Sequence, residues 1–214
     1  MISVEEAAGY YSENDTAHGF DHVVRVWRLA MRIGKEEGAD LEVLQAAALL
    51  HDVGRPAEQA TGACHAEVSA AMAREILGAR GIPAARIDAV ADAIARHRYR
   101  GDLPPESLEA RVLFDADKLD AIGALGVARA FAIAGAQRQH LWAEVPQEVA
   151  ERRPEDGRND LRNAEHTPVH EFRFKLARVR DRLFTRAGRA LAAGRHRCMV
   201  AFFERLEREI EGDA

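Results

Sequence analysis

Four side chains set the terms on which this chain can fold. His22, the adjacent pair His51-Asp52, and Asp117 each fall where an apolar helical stripe buries it. His22 continues the row Val26, Ala30, Ile33; His51 and Asp52 close the row Leu41, Leu44, Ala48; Asp117 follows Leu113 by one helical turn. An ionised carboxylate buried without a partner costs several kcal/mol. These groups therefore need a common partner, and a cation held between helices satisfies all of them.

The remaining pattern is helical. Ser3 followed by Glu6 is a capping-box signal for a short first helix ending near Ser12. A second helix is expected from Gly19 or Phe20 to Glu37, stopped by Gly38, and Asp40 caps a third that runs through Leu50. Residues 46–50 are apolar all round, which marks the third helix as central. Gly54, Pro56 and Gly62 predict a loop directly after His51-Asp52. Beyond it, a fourth helix from about His65 to Arg80 and a fifth carrying Ile87, Val90, Ile94 and His97 put two further histidines on apolar faces. Residues 106–137 read as helical, bent or interrupted near Gly123 and Gly126, and two more helices are expected over about 169–211. No alternating strand pattern and no internal repeat is visible. The expected organisation is one domain over 1–214, in which residues 139–168, rich in proline and charge, form a long loop or lid.

Composition narrows the partners. A formal net charge of −5 lacks the concentrated basic surface of a general nucleic-acid binder, and the arginines between Arg173 and Arg197 are interleaved with acids. No apolar run approaches the roughly 20 residues that span a bilayer. Neither nucleic acid nor membrane is an expected partner. Cys64 and Cys198 stand far apart, and the segment Met1 to Glu6 lacks the basic and apolar parts of a secretory signal, so the cytoplasm is the expected compartment. Oligomeric state is left open, because an exposed helix face and a dimer seam look alike in one sequence.

Neutral imidazoles and carboxylates together suit Mn, Fe, Co, Ni or Zn, and a carboxylate-rich set also accepts Mg. With four protein ligands a six-coordinate ion keeps positions for water and substrate, which permits hydrolysis. Adjacent residues of a helix point about 100° apart, so His51 and Asp52 can share an ion only near a helix end. Gly54 and Pro56 supply that end.

The spacing His22, His51-Asp52, Asp117 resembles the HD superfamily of metal-dependent phosphohydrolases, named for that dipeptide. Three strings are similar to one branch of small bacterial HD proteins: 20–26 (FDHVVRV), 51–55 (HDVGR) and, most specifically, 115–123 (DADKLDAIG). The order Lys175-Leu176, Thr185-Arg186-Ala187-Gly188, Arg195-His196 fits the same branch, so the likeness spans nearly the whole chain. It implies an all-α helical bundle with the metal between central helices, Asp117 rather than Asp115 as the ligand, and hydrolysis of phosphate esters or anhydrides. Some relatives in the branch are nucleotide pyrophosphatases, which makes a phosphorylated small molecule, a nucleotide above all, the implied substrate. Other HD proteins use two irons to activate dioxygen, and a nucleotide sensor without turnover is a third reading.

His65 and His97 resemble the extra histidines of HD sites that hold a second ion; with Asp120 they are the candidates for proton transfer or for orienting ligands. Arg25, three residues after His22, and Arg55, three after Asp52, are candidates for binding phosphate bidentately. Lys118, Lys175 and Arg195 complete the candidate substrate contacts.

Overall fold

The computed structural model describes residues 1–11, 19–98, 103–145 and 166–213, apart from the side chain of Gln59. Every regular element among the described residues is helical: α1 (Val4–Ala8), α2 (Phe20–Glu37), α3 (Leu41–Leu50), α4 (Arg55–Thr61), α5 (His65–Gly78), α6 (Ala84–Ala95), α7 (Leu108–Asp120), α8 (Gly123–Ala136), α9 (Pro168–Phe174), a 3-10 helix (Leu176–Arg182) and α10 (Arg186–Glu211). The all-α expectation holds. The residues gather into two compact units, one of Met1–Lys118 with Phe184–Gly188, the other of Leu119–Leu183 with Arg189–Ala214.

In the first unit α3 is the hub, in contact with α1, α2, α5 and α6. Residues Ala46 to Leu50 have no exposed surface, as their all-round apolarity requires. The helix starts where Asp40 accepts hydrogen bonds from the amides of Glu42 and Val43, which satisfies donors that a helix N-terminus leaves open. On α2 the stripe Val23, Val26, Ala30, Ile33 is fully buried, and His22 lies on the same face at 1% exposure. The capping box of α1 forms as expected, with Ser3 and Glu6 bonded reciprocally, but that helix ends at Ala8, with Gly9 as its cap, rather than near Ser12.

The stretch after His51-Asp52 departs from expectation. It is not a loop: after a turn over 51–54 the chain winds into α4, with Pro56 in its first turn and Gly62 closing its C-terminus. Proline and glycine break helices in mid-course, but proline just inside a helix and glycine just past it mark its boundaries. Gly54 serves a different purpose. A Cβ on it would sit 2.8 Å from both the His65 carbonyl oxygen and the Ser69 amide nitrogen, and its own N–H donates to Ser69 Oγ at 2.9 Å. Only a residue without a side chain lets the turn carrying His51 and Asp52 lie this close to α5. Gly54→Ala should cost about 1–3 kcal/mol through forced separation of these backbones, measured by urea unfolding; an unchanged midpoint would mean the turn can back away freely.

The second unit is built on aromatic contacts. Phe203 stacks on Phe172 at a ring-centroid distance of 4.2 Å and on Phe131 at 6.3 Å. Phe172, Leu176, Val179 and Leu183 recur at the spacing of one helical face, which fits the first of the two C-terminal helices expected, but they do not lie on one α-helix: α9 ends at Phe174 and the 3-10 helix follows it. Most of the 139–168 excursion, residues 146–165, lies outside the described residues. No single helix among the described residues is long and apolar enough to cross a membrane.

Candidate metal centre

Four elements of the first unit bring their polar residues to one place. His22 comes from the first turn of α2, His51 caps α3 with Asp52 in the turn after it, and Asp117 comes from α7. His22 Nε2 lies 3.3 Å from His51 Nε2, 3.8 Å from Asp52 Oδ2 and 3.5 Å from Asp117 Oδ1. His51 Nε2 is 3.6 Å from Asp52 Oδ2. Ligand atoms about 2.1 Å from a common ion stand roughly 3.0–3.4 Å apart in octahedral or tetrahedral arrangements, so this spacing suits a small divalent cation.

A second set adjoins the first. His65 Nε2 and His97 Nε2 lie 3.6 and 3.7 Å from Asp52 Oδ1. The carboxylate of Asp52 therefore presents one oxygen to each set: Oδ2 to His22 and His51, Oδ1 to His65 and His97. The rings form a chain of edge contacts from His22 to His51, His97 and His65, with centroids 5.2–5.3 Å apart. Each group of three, His22-His51-Asp52 and Asp52-His65-His97, is close enough to grip one ion.

The fit to a cation is tested by what these residues lack. Asp52 is 1% exposed, yet neither of its oxygens accepts a hydrogen bond. The Nε of Arg55 comes within 3.1 Å of Oδ1, out of hydrogen-bonding alignment. Buried polar atoms in native proteins almost always find partners, and a carboxylate with two open oxygens among imidazoles is what a metal would complete. The imidazoles are prepared for it. His51 holds its Nδ1 on the Ala48 carbonyl at 2.8 Å and His97 on the Ile94 carbonyl at 2.6 Å. An Nδ1 proton so engaged leaves the Nε2 lone pair facing inward. Burial pushes His51 down to about 4, aided by His97 and His22 against the pull of Asp52 and Asp117. Burial takes His65 down to about 4 as well, followed by Arg55 and His97. Both rings are neutral near pH 7, the form that ligates. Burial would raise the Asp52 carboxyl, but His51, His97 and Arg55 outweigh it and hold the group well below the usual range. Asp117 behaves likewise, Lys118 and His22 prevailing over burial.

Arg55 sits beside Asp52 and gives its Nη1 to Glu58 at 2.9 Å. Lys118 is buried, paired with Asp117, with its ammonium 5.2 Å from the centre of the Phe114 ring. Arg25 pairs with Asp21 one turn earlier on α2. Asp120, Lys175 and Arg195 belong to the second unit. There Asp120 Oδ2 faces Arg129 at 3.1 Å, Lys175 binds Glu171 at 3.0 Å, and Arg195 donates to the Leu119 carbonyl. Sequence reasoning missed Glu58, whose Oε1 accepts from His65 Nδ1 at 3.0 Å. Its only signal in the sequence is a place one turn after Arg55, in a stretch whose Pro56 and Gly62 suggest a loop.

Comparison with known proteins agrees with this geometry. The sequence model of the HD domain matches residues 19–122. The chain is 34% identical to the uncharacterised protein YpgQ of Bacillus subtilis over 205 residues, 94% of this chain and 88% of that one. The crystal structure of YpgQ in complex with ADP superposes with a TM-score of 0.73 at 28% identity, covering 99% of this chain and 100% of the other. An HD-superfamily hydrolase from Bacillus thuringiensis gives 0.71 at 25% identity, with 97% and 96% covered. With its paired His-Asp between helices and a relative alike along almost its full length, the chain belongs to the HD superfamily.

Proposed function

We propose that this protein is a metal-dependent phosphohydrolase acting on a nucleotide or a related phosphate ester or anhydride, with pyrophosphate release from nucleoside triphosphates as the specific reaction. The observation that carries the reading is Asp52, buried with two open oxygens that face two imidazole pairs. The ADP complex of YpgQ supports a nucleotide as the ligand class.

His22, His51, Asp52 and Asp117 would hold one divalent ion, and Asp52, His65 and His97 a second. When bound, such an ion lowers the pKa of a coordinated water towards neutrality and polarises a phosphoryl oxygen. The protein's own groups do the rest. Asp52 stays ionised and so brings negative charge to both seats. His51 and His97, with Nδ1 tied to main-chain carbonyls, keep their orientation throughout. Arg55, a quarter exposed, is placed to meet a phosphate at the edge of the centre, exchanging its contact with Asp52 for bidentate hydrogen bonds to the substrate. His65 and His97 offer imidazole nitrogens 3.6 and 3.7 Å from Asp52 Oδ1 for proton transfer when the second seat is empty.

The test is a panel of nucleoside mono-, di- and triphosphates presented to stripped protein with Mg, Mn, Co or Ni, scoring phosphate and pyrophosphate separately. Metal-dependent release of pyrophosphate with accumulation of the monophosphate is expected. No product under any metal overturns the reading. The shared Asp52 also suits a second one, dioxygen activation by a two-iron centre; oxygen uptake by the iron-loaded protein, absent phosphate release, would select it.

A further inference from the structure

His51, His65 and His97 each have Nδ1 fixed by a neighbouring acceptor, and they differ in what fixes it. For His51 and His97 the acceptor is a main-chain carbonyl three residues earlier, supplied by the helix end itself. For His65 it is a side chain, Oε1 of Glu58 at 3.0 Å. The other oxygen of Glu58 holds Arg55 Nη1 at 2.9 Å. One carboxylate on the short α4 thus grips both the outer histidine of the second seat and the arginine at its edge.

We propose that Glu58 is the positioning residue of the second seat: it keeps the proton of His65 on Nδ1, so that Nε2 faces Asp52, and it fixes Arg55 beside the same oxygen. A neutral imidazole carries a single proton, and the nitrogen that keeps it cannot coordinate a cation. Without an acceptor at Nδ1 both tautomers of His65 become available and the ring is free to turn. A carboxylate behind an imidazole also makes the opposite nitrogen a stronger donor. The side chain of Glu58 is 26% exposed, and ion pairs at such exposure add little to stability. Its contacts therefore matter chiefly for the geometry in front of them. The inference rests on the two-seat reading above.

Glu58→Ala and Glu58→Gln are compared with the wild-type full chain by two measurements. Long-range 1H–15N correlation of the metal-free protein reads the tautomer of each histidine, and titration with Mn2+ reads the affinity of each equivalent. In the wild type His65 should carry its proton on Nδ1. Glu58→Ala should mix the two tautomers at His65 alone and weaken the second Mn2+ by about 10–100-fold, leaving the first within about twofold. Glu58→Gln keeps an acceptor oxygen and should restore the tautomer with most of the affinity. Retention of the Nδ1 proton in Glu58→Ala, or an unchanged second equivalent, overturns the inference. If the wild type takes up a single Mn2+, the two-ion reading falls instead, and the tautomer of His65 alone decides the role of Glu58.

Discussion

Asp52→Asn should abolish metal-dependent turnover, lowering kcat/KM by a factor on the order of 10³ or more, and should erase the stabilisation that metal gives the fold. The substitution keeps shape and volume and removes only the charge. Its leverage comes from position: Asp52 is the one residue whose two oxygens serve both groups, Oδ2 toward His22 and His51, Oδ1 toward His65 and His97. Ligand binding to the native state alone stabilises by about 2.7 kcal/mol at a hundred times Kd. For a chain of this size that corresponds to a rise in Tm of roughly 5–11 °C. Wild-type protein should show this rise on adding Mn2+, and Asp52→Asn should show none. His97→Ala, which touches only one group, should retain part of it. A Tm rise of wild-type size in Asp52→Asn would remove Asp52 from the ligand set and with it the carrying observation of the proposed function.

How much of this was readable in advance depended on whether a residue's task shows in a local pattern. His22, His51, Asp52, His65 and His97 were polar residues on apolar stripes, a conflict visible in one sequence, and all five are buried together. The hub role of α3 followed from Ala46 to Leu50 for the same reason. Glu58 carries no such conflict, because a glutamate on a half-exposed helix face is ordinary, and Pro56 and Gly62 give its helix the look of a loop. Likewise the charges of Asp120, Lys175 and Arg195 give no hint of the partners they meet. Arg129, Glu171 and the Leu119 carbonyl are supplied by tertiary packing that periodicity does not encode.

The string Asp115-Ala116-Asp117 shows the limit of motif reading most clearly, for its two carboxylates have unrelated work. Asp117 faces His22. Asp115, without exposed surface, accepts from the amides of Phe184 and Thr185 at 2.8 and 2.7 Å and from Thr185 Oγ at 2.6 Å. Thr185 in turn caps α10 by accepting from the Gly188 amide at 3.0 Å. A Cβ on Gly188 would meet Asp115 Oδ2 at 2.4 Å, which accounts for glycine at that position. Glu37 takes the Ala187 amide at 2.7 Å, so two carboxylates sit at the positive end of a long helix, where negative charge is favoured. Asp115→Ala strips three hydrogen bonds to an ionised acceptor, each worth about 1.5–3 kcal/mol, and leaves buried donors open. Allowing for incomplete additivity, the loss should be about 3–5 kcal/mol, a large part of the 5–15 kcal/mol typical of a folded protein. Asp115→Asn, which keeps one acceptor oxygen, should lose about half as much. Urea unfolding of the metal-free proteins measures both, and Mn2+ titration supplies the contrast: Asp115→Asn should bind metal as the wild type does, whereas Asp117→Ala should bind it weakly with a far smaller change in unfolding midpoint. Equal loss of metal affinity in the two would mean that Asp115 acts on the centre itself, and its assignment to the helix cap would have to be abandoned.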